Sequence, residues 1–350
     1  MFQSSTMCDT DVFVVGGGPA GIAAALAARK RGFSVTIADG GRPPQDKACG
    51  EGLMPDALAA AARLGIEIPE DVGFRYQGIR FRGAFSNGSA RSVAAPFPRG
   101  AQGRGVRRPA LHALLVEAAE RAGVRMLWET PVSGLDGLNA RWIVGADGAQ
   151  SLVRRWAGLD SPMWNTRRYA YRQHFAIAPW TDFMEIYWGE GCQIYVTPVS
   201  PGEVCLALIS RSRDLRLPDA LQRFFPVLRE RLEGVEPTSR ERGALTASVR
   251  LREVARGNVA LIGDASGSVD AITGEGLCLS FRQAEAMAGA MARNNMEEYD
   301  RAHPRLALRP HLMAKAMLLL DRGPEMRRWA LSAMSAQPWI FRSLLALHVL

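Results

Sequence analysis

The sequence predicts an α/β protein with a parallel sheet, an inserted antiparallel sheet that adds an α+β unit, and a C-terminal helical region. Three observations predict this class. A short apolar strand leads through a glycine-rich turn into an alanine-rich helix near the N-terminus. Strand-like segments separated by turn residues fill the middle, and leucine, alanine, methionine and arginine dominate from Met296 onward. The 350 residues suffice for about two domains.

Composition indicates a folded chain and argues against several kinds of site. Hydrophobic residues make up 47% of the chain, and the formal net charge is +8. This surplus attracts anions, but scattered arginines without a nucleic-acid motif are typical of a solvated face. The cysteines are odd in number and form no Cys-x-x-Cys pair, which argues against a disulfide framework and structural zinc. They are Cys8, Cys49, Cys192, Cys205 and Cys278.

The N-terminal unit consists of a strand at residues 11–15, a glycine turn at 16–21 and a helix at 22–31. Gly16 permits the tight turn, Gly18 lets the backbone approach a pyrophosphate, and Gly21 lets the helix pack on the strand. Pro19 and Ala20 complete the turn. The N-terminus of the helix then presents free N–H groups and a positive dipole end to the phosphates.

A second strand, at residues 33–38, ends at Asp39, 18 residues after Gly21, and is followed by Gly40. An acidic group at this distance can accept hydrogen bonds from both ribose hydroxyls of an adenosine. A strand before the turn, a helix after it and an acid at this spacing predict a Rossmann-like dinucleotide-binding unit.

Two later segments repeat the combination of strand and glycine turn. Residues 142–151 lead into Asp147 and Gly148, and residues 258–265 lead into Gly263 and Asp264, followed by a turn and a helix at 277–293. In this order the segments resemble the flavoprotein group that includes para-hydroxybenzoate hydroxylase and geranylgeranyl reductase. The sequences KACGEGL at residues 47–53 and TGEG at 273–276 resemble the geranylgeranyl reductase-like branch. The resemblance spans residues 12 to 285.

The resemblance implies a Rossmann-like FAD-binding domain. It implies that Asp264 holds the ribityl hydroxyls. It also implies that the helix at 277–293, which follows the glycine turn at 274–276, stabilises negative charge on reduced flavin. The resemblance also implies an arginine that contacts the diphosphate or ribityl group. Arg107 and Arg108 are both candidates for this role, and the spacing to the following helix favours Arg108. The implied cofactor-binding set also includes Asp147, Gly148, Gly263, Gly274, Glu275, Gly276, Leu277, Cys49 and Gly50.

Three functions remain open. The resemblance implies an enzyme in which reduced flavin reduces carbon–carbon double bonds of a prenyl, polyketide or other apolar substrate. The alternatives are a monooxygenase acting on an aromatic or polyene substrate and a non-catalytic electron carrier. Cys49 is the candidate proton donor, although a small buried thiol is an equally good interpretation. No second dinucleotide motif occurs, so the implied reductant is NAD(P)H reaching the same cavity or a ferredoxin-like donor.

The sequence departs from the family at two places. Relatives often have an Asp-Pro pair after the Gly-Asp motif, where this chain has Asp270 and Ala271. We therefore expect a looser turn there. The aromatic-rich strand lacks the tryptophan pair of flavin-dependent halogenases, which argues against halogenation.

Alternating segments between the flavin motifs predict an antiparallel substrate sheet stacked over the flavin ring. They lie at residues 74–85, 169–178, 183–188, 193–200 and 203–210. His174, Tyr187 and Tyr195 are the candidate pocket residues on them. The predicted domains are 10–73, 101–158 and 246–295 for FAD, 74–100 and 159–245 for substrate, and 296–350 for the C-terminal helices.

The C-terminal region has two interpretations. Its helices, punctuated by Pro304, Pro310, Pro324 and Pro338, form either a cap packed on the body or a basic amphipathic surface for a membrane. Residues 1–10 do not resemble a signal peptide, and no stretch has the roughly 18 apolar residues of a spanning helix. We therefore expect a cytoplasmic protein with peripheral membrane contact as an option.

Overall fold

The computed structural model describes residues 7–84 and 90–349. The N-terminal residues 1–6, Phe85 at the end of one predicted strand, and Leu350 therefore lie outside the described residues. The strands, in chain order, are Met7–Val15 (β1), Val35–Ala38 (β2), Gly52–Leu53 (β3), Phe74–Tyr76 (β4), Gly78–Ala84 (β5), Ala90–Pro96 (β6), Gly103–Gly105 (β7), Arg125–Leu127 (β8), Leu138–Gly145 (β9), Pro162–Phe175 (β10), Phe183–Trp188 (β11), Cys192–Ser200 (β12), Glu203–Ser210 (β13), Arg242–Leu251 (β14), Ala255–Arg256 (β15), Val259–Leu261 (β16) and Gly267–Ser268 (β17).

The helices lie between the strands and, from Gly276 onward, form the C-terminal part of the chain. Short 3₁₀ turns occur at Pro98–Gly100, Gly263–Ser266 and Ala271–Thr273. The α-helices are Pro19–Arg29 (α1), Pro55–Leu64 (α2), Arg108–Arg121 (α3), Leu152–Trp156 (α4), Leu217–Phe224 (α5), Pro226–Arg231 (α6), Gly276–Ala292 (α7), Met296–Arg322 (α8), Pro324–Ala336 (α9) and Pro338–Val349 (α10). None of these helices combines the length and apolar character needed to cross a membrane.

The first sheet has the order β15-β16-β9-β1-β2-β8 and is parallel except at β15. Its central strand β1 is a continuous apolar run over residues 12–15, because helices cover both faces of a parallel sheet. Val12 pairs with Val35 of β2 on one side and with Trp142 of β9 on the other. Helices α1, α3 and α7 complete this core with buried alanine, leucine and methionine side chains. The predicted Rossmann-like unit is confirmed.

The second sheet has the order β17-β14-β10-β13-β12-β11-β5-β6. Its neighbours are antiparallel except for β11 and β5, which run parallel. Both faces are buried: one packs on α5 and α6, and the other packs on the C-terminal helices. The predicted antiparallel sheet is confirmed. The domain limits remain a prediction, and the limit at residue 246 falls inside β14, which pairs with β10 along its whole length.

Strand boundaries differ from the predictions where a turn interrupts the pattern. The predicted strand at 74–85 is two strands, β4 and β5, separated at Gln77. β4 joins β3 and β7 in a small third sheet. The apolar alternation of the sequence shifts at the same residue, because Tyr76 and Ile79 are three positions apart.

The C-terminal helices correct the prediction about proline. Pro324 and Pro338 stand at the first turns of α9 and α10 and begin these helices, as expected, but Pro304 and Pro310 lie inside α8. An interior proline removes a hydrogen bond and costs about 3 kcal/mol. Burial of Tyr299, Ala314 and Met317 on the same helix offsets this cost, since tertiary packing overrides local propensity.

Candidate functional site

A cavity of about 1270 Å³ opens at the carboxyl ends of β1, β2 and β9, where ligands of open α/β sheets bind. The second sheet and the C-terminal helices form its other walls. Typical ligand pockets measure about 300–1,000 Å³, so this cavity has room for more than one molecule. Its lining includes most of the predicted cofactor-binding residues: Gly16, Gly18, Pro19, Ala20, Asp39, Gly40, Cys49, Gly50, Arg108, Asp147, Gly148, Gly263, Asp264, Gly274, Gly276 and Leu277.

The glycine turn before α1 fits a pyrophosphate. A Cβ at Gly16 would overlap the carbonyl oxygen of Ala146, and one at Gly21 would overlap the carbonyl oxygen of Gly16. These two glycines are therefore required for packing. A Cβ at Gly18 would meet only Gln45 Oε1, at 4.0 Å, so the cavity lies open above Gly18. Helix α1 has no capping side chain and no acid in its first turn, which leaves its positive end for an anion.

The side chain of Asp39 is fixed at the edge of this turn. Its Oδ2 accepts a hydrogen bond from Gly17 N at 2.6 Å, and its Oδ1 accepts one from Gly41 N at 2.7 Å. A carboxylate has about four lone-pair sites, so acceptor capacity remains for hydroxyl groups in the cavity.

His112 also holds this turn, and the sequence analysis did not identify it. It is completely buried; its Nε2 donates to Gly17 O at 2.8 Å and its Nδ1 accepts from Gln45 N at 3.3 Å. Burial lowers the pKa of His112, and this donor–acceptor pattern is that of the neutral ring. In the sequence, the only signal for this role of His112 was its position on the buried face of α3, the helix that begins at Arg108.

The two adjacent arginines at the start of α3 point in different directions. Arg108 is buried and lines the cavity, and its Nε has no hydrogen-bond partner in the described part of the chain. Arg107 forms an ion pair with Glu203 at 3.6 Å and contacts His174 Nδ1 at 3.4 Å. The free donor that faces the cavity therefore belongs to Arg108.

The two later aspartates differ in their surroundings. Asp147 accepts hydrogen bonds from Leu152 N at 2.7 Å and Val153 N at 3.1 Å, and so holds the start of α4. Asp264 is partly exposed and pairs with Lys47 at 3.1 Å. Both line the cavity, but the carboxylate of Asp264 is the less occupied by the protein's own backbone.

The glycine turn at residues 274–276, called the second glycine turn, leads into α7. A Cβ at Gly274 or Gly276 would meet no atom within 4 Å, so both positions are open to the cavity. The missing proline had suggested a loose turn, but the turn is held by side-chain contacts. Asp270 accepts a hydrogen bond from Ile272 N at 3.1 Å and forms an ion pair with Arg168 at 3.4 Å, which closes the turn without proline. Glu275 is buried and is not among the residues that line the cavity in the described part of the chain.

The loop that carries Cys49 is held by Glu51, which the sequence analysis did not single out. Glu51 is buried with a positive φ of 58°. Its carboxylate accepts from Arg108 N at 2.9 Å and lies 2.7 Å from His174 Nε2. Cys49 lines the cavity, and its Sγ accepts from Glu51 N at 3.4 Å.

The predicted pocket residues divide between the two faces of the second sheet. Tyr195 lines the cavity and donates to Ile272 O at 2.6 Å. Tyr187 lies on the opposite face and donates to Glu185 at 2.8 Å. His174 is buried behind Glu51 and does not line the cavity among the described residues. The prediction that Tyr187 and His174 line the pocket is therefore corrected. Neighbouring residues of a strand alternate between faces, and Ile186 occupies the cavity side beside Tyr187.

Similar proteins include an FAD binding domain family, two reductases and an FAD-dependent hydroxylase. Residues 11–66 match a protein family described as an FAD binding domain. The menaquinone reductase of Mycolicibacterium smegmatis is 30% identical over 327 residues, covering 85% of this chain and 80% of that protein. The digeranylgeranylglycerophospholipid reductase of Methanosarcina acetivorans is 24% identical over 310 residues, covering 81% and 74%. The FAD-dependent urate hydroxylase of Klebsiella pneumoniae is 25% identical over 339 residues, covering 82% and 85%.

A solved structure shares the fold. A flavin-dependent brominase superposes with a TM-score of 0.82 over 98% of this chain and 94% of its own, at 18% identity. At this identity the likeness concerns the architecture alone. The parallel sheet, the second sheet and the C-terminal helices are therefore an architecture that this chain shares with that protein.

Proposed function

We propose that this chain, which belongs to the family of FAD-dependent oxidoreductases that includes menaquinone reductase, reduces a carbon–carbon double bond of a prenyl, polyketide or other apolar substrate. The observation that carries the proposal is the cavity. It joins the open glycine turns to a wall of apolar side chains and places Cys49 on its surface. FAD, when bound, supplies the hydride.

The residues that would hold FAD follow from the open positions of the cavity. Gly18 and the uncapped start of α1 would contact the pyrophosphate, and Asp39 the adenosine ribose. Arg108 would donate its free Nε to the diphosphate or ribityl region, because guanidinium groups bind phosphate oxygens well. Asp264 would accept from the ribityl hydroxyls. Gly274 and Gly276 would bring the start of α7 to the flavin ring.

Cys49 would deliver the proton. Reduction of a double bond adds a hydride to one carbon and a proton to its neighbour. The Cys49 thiol lines the cavity on the loop at residues 45–52, together with Lys47 and Glu51. Apolar side chains such as Met313, Met317 and Phe341 would exclude water from the reacting carbons. The urate hydroxylase relative favours an alternative, in which the same flavin hydroxylates an aromatic substrate.

The reductant would be NAD(P)H or a ferredoxin-like donor. Anaerobic bleaching of the flavin absorbance by NADH, NADPH or a reduced ferredoxin distinguishes these donors. Product mass, measured together with oxygen consumption, tests the reaction. A reductase adds two hydrogens without consuming oxygen in proportion to product. A product heavier by one oxygen atom would overturn the proposal in favour of the hydroxylase, and the absence of product would favour an electron carrier.

The mouth of the cavity would rest on a membrane that supplies the substrate. Leu245, Leu312 and Leu347 line the cavity and are also exposed, by 47%, 58% and 63%. Trp329 and Trp339 on α9 and α10 are exposed by 73% and 64%. Residues 304–350 contain seven Lys or Arg and two Asp or Glu, which suits an anionic surface.

Vesicle flotation tests this contact. Burial of a large apolar side chain contributes about 1.5–3 kcal/mol, so Leu312→Ser with Leu347→Ser should weaken binding to phosphatidylglycerol-containing vesicles at least about tenfold. Val227→Ser, at a 47% exposed apolar residue on α6 away from the cavity, is the matched control. Equal flotation of all three proteins would contradict the proposed contact.

A further inference from the structure

A polar cluster interrupts the apolar wall of the cavity. Arg309 of α8 and His348 of α10 both line the cavity, among methionine, leucine and phenylalanine side chains. Glu275, at the start of α7, stands beside His348, with 3.6 Å between His348 Nδ1 and Glu275 Oε1. This distance is too long for a hydrogen bond.

The cluster contains three buried atoms without partners. Among the described residues, Arg309 Nη2, His348 Nδ1 and Glu275 Oε2 have no hydrogen-bond partner. Glu275 is 5% exposed and His348 is 7% exposed. Nearly all buried polar groups in folded proteins are hydrogen-bonded. Of these three residues, Arg309 and His348 line the cavity, and Glu275 stands beside His348. Their unused hydrogen-bonding capacity points to a ligand.

The charges of the cluster define the chemistry of that ligand. Burial, together with the nearby Asp56, raises the pKa of Glu275 to about 8, so this carboxyl group is mostly neutral at pH 7. Burial lowers the pKa of His348 to about 4, which leaves the ring neutral. Asp56 is engaged by Arg282 at 3.3 Å and by Cys278 at 3.1 Å. The guanidinium of Arg309 is always charged, and neither the neutral Glu275 nor the engaged Asp56 serves it as a counter-ion.

We propose that Arg309 and His348, backed by Glu275, bind a carbonyl or hydroxyl oxygen on the head group of the otherwise apolar substrate. The Arg309 guanidinium donates to an electron-rich oxygen, and the neutral His348 ring donates to it through Nδ1 in the tautomer that carries the proton there. The flanking side chains suit a ring or a hydrocarbon chain. The subsite fixes one end of the substrate and so determines which of its bonds lies over the flavin. This inference rests on the proposed apolar substrate, but binding can be measured without turnover.

The same chemistry describes the carbonyl oxygens of the flavin ring, so the test separates substrate from cofactor. FAD-loaded Arg309→Met protein is titrated with menadione, which carries two ring carbonyls, and with 2-methylnaphthalene, which has the same ring system without them. Perturbation of the flavin absorbance reports binding. Lys315→Met, at an exposed cation of the same helix, is the matched control.

The expected result is selective. Arg309→Met should weaken menadione binding by about ten- to a hundredfold, the effect of losing one hydrogen bond to a charged group. Its affinity for 2-methylnaphthalene and its FAD content should match those of the wild type and of Lys315→Met. His348→Gln should show the same selectivity, which keeps the test decisive if one variant folds poorly.

Two results would overturn the inference. Equal losses for both probes, or none for either, would mean that no oxygen is bound here. Loss of FAD itself from Arg309→Met would assign the cluster to the cofactor. The mass of the reaction product is independent of these titrations, so failure of this subsite and failure of the proposed reaction give different observations.

Discussion

Replacing Gly18 by alanine should separate cofactor binding from folding. Gly18 has φ −72° and ψ 177°, an extended conformation that any residue adopts. The nearest protein atom to a new Cβ is Gln45 Oε1 at 4.0 Å. Alanine therefore fits the folded protein, and its lower entropy in the unfolded chain should stabilise the fold by about 0.4–1 kcal/mol.

The same methyl group would stand where the pyrophosphate approaches the backbone. Loss of one hydrogen bond to a charged group costs about 1.5–3 kcal/mol. We therefore expect the dissociation constant for FAD to rise by about ten- to a hundredfold. Affinity and stability should move in opposite directions, which a merely misfolded variant would not show.

Equilibrium FAD titration and urea denaturation without added FAD measure the two effects. Gly202→Ala is the matched control, because a Cβ at Gly202 would meet no atom within 4 Å and Gly202 lies in the turn between β12 and β13, away from the cavity. Gly21→Ala is the contrast, since its Cβ would overlap Gly16 O, and it should destabilise the fold. An unchanged FAD affinity in Gly18→Ala would refute the assignment of this turn to the pyrophosphate.

Three further predictions concern single carboxyl or thiol groups. Asp39→Ala should raise the FAD dissociation constant by about ten- to a hundredfold, measured by FAD retention on dilution; full retention would leave Asp39 as a loop residue only. Cys49→Ala should leave the rate of flavin reduction unchanged in stopped flow but slow the reoxidation of the flavin by substrate by about 10²–10⁴; equal rates for wild type and variant in both half-reactions would favour the hydroxylase. Glu275 has a folded pKa of about 8, above its usual value of 4.5, so its contribution to stability is present below about pH 4.5 and is lost as the pH rises towards 8. Relative to the wild type, Glu275→Gln should therefore gain about 3 kcal/mol of unfolding free energy between pH 4.5 and pH 7; a pH-independent difference in urea denaturation would contradict the buried neutral acid.

The N-terminal unit could be predicted from the sequence because its determinants are local. A strand, a glycine turn and a helix follow one another within residues 11–31, and Gly21 packs against Gly16 O of the same unit. The strand at 183–188 was predicted with its observed limits for the same reason, since turn residues bound it on both sides.

Side-chain direction was the part that the sequence could not supply. Arg107 and Arg108 are adjacent and chemically identical, and what separates them is contact with Glu203 and His174, which are distant in sequence. Likewise, a shift of one residue in the register of β11 would exchange the sheet faces on which Tyr187 and Ile186 lie. The roles of Glu51 and His112 were missed because a single buried polar residue leaves no periodic signal.

The C-terminal helices explain how a common cofactor fold can serve different substrates. Gly18 of the pyrophosphate turn, and Gly274 and Gly276 at the start of α7, are open to the cavity, so a larger side chain there would intrude on the proposed cofactor space. The wall formed by α8 and α10 has no such restriction, because Met313, Met317 and Phe341 are interchangeable in size and apolarity with other residues. Arg309 and His348 are the exceptions on this wall, since a charged or polar atom buried without a partner is costly in a protein that binds only hydrocarbon. Their presence in an apolar wall is therefore the strongest indication that the substrate of this chain carries an oxygen at one end.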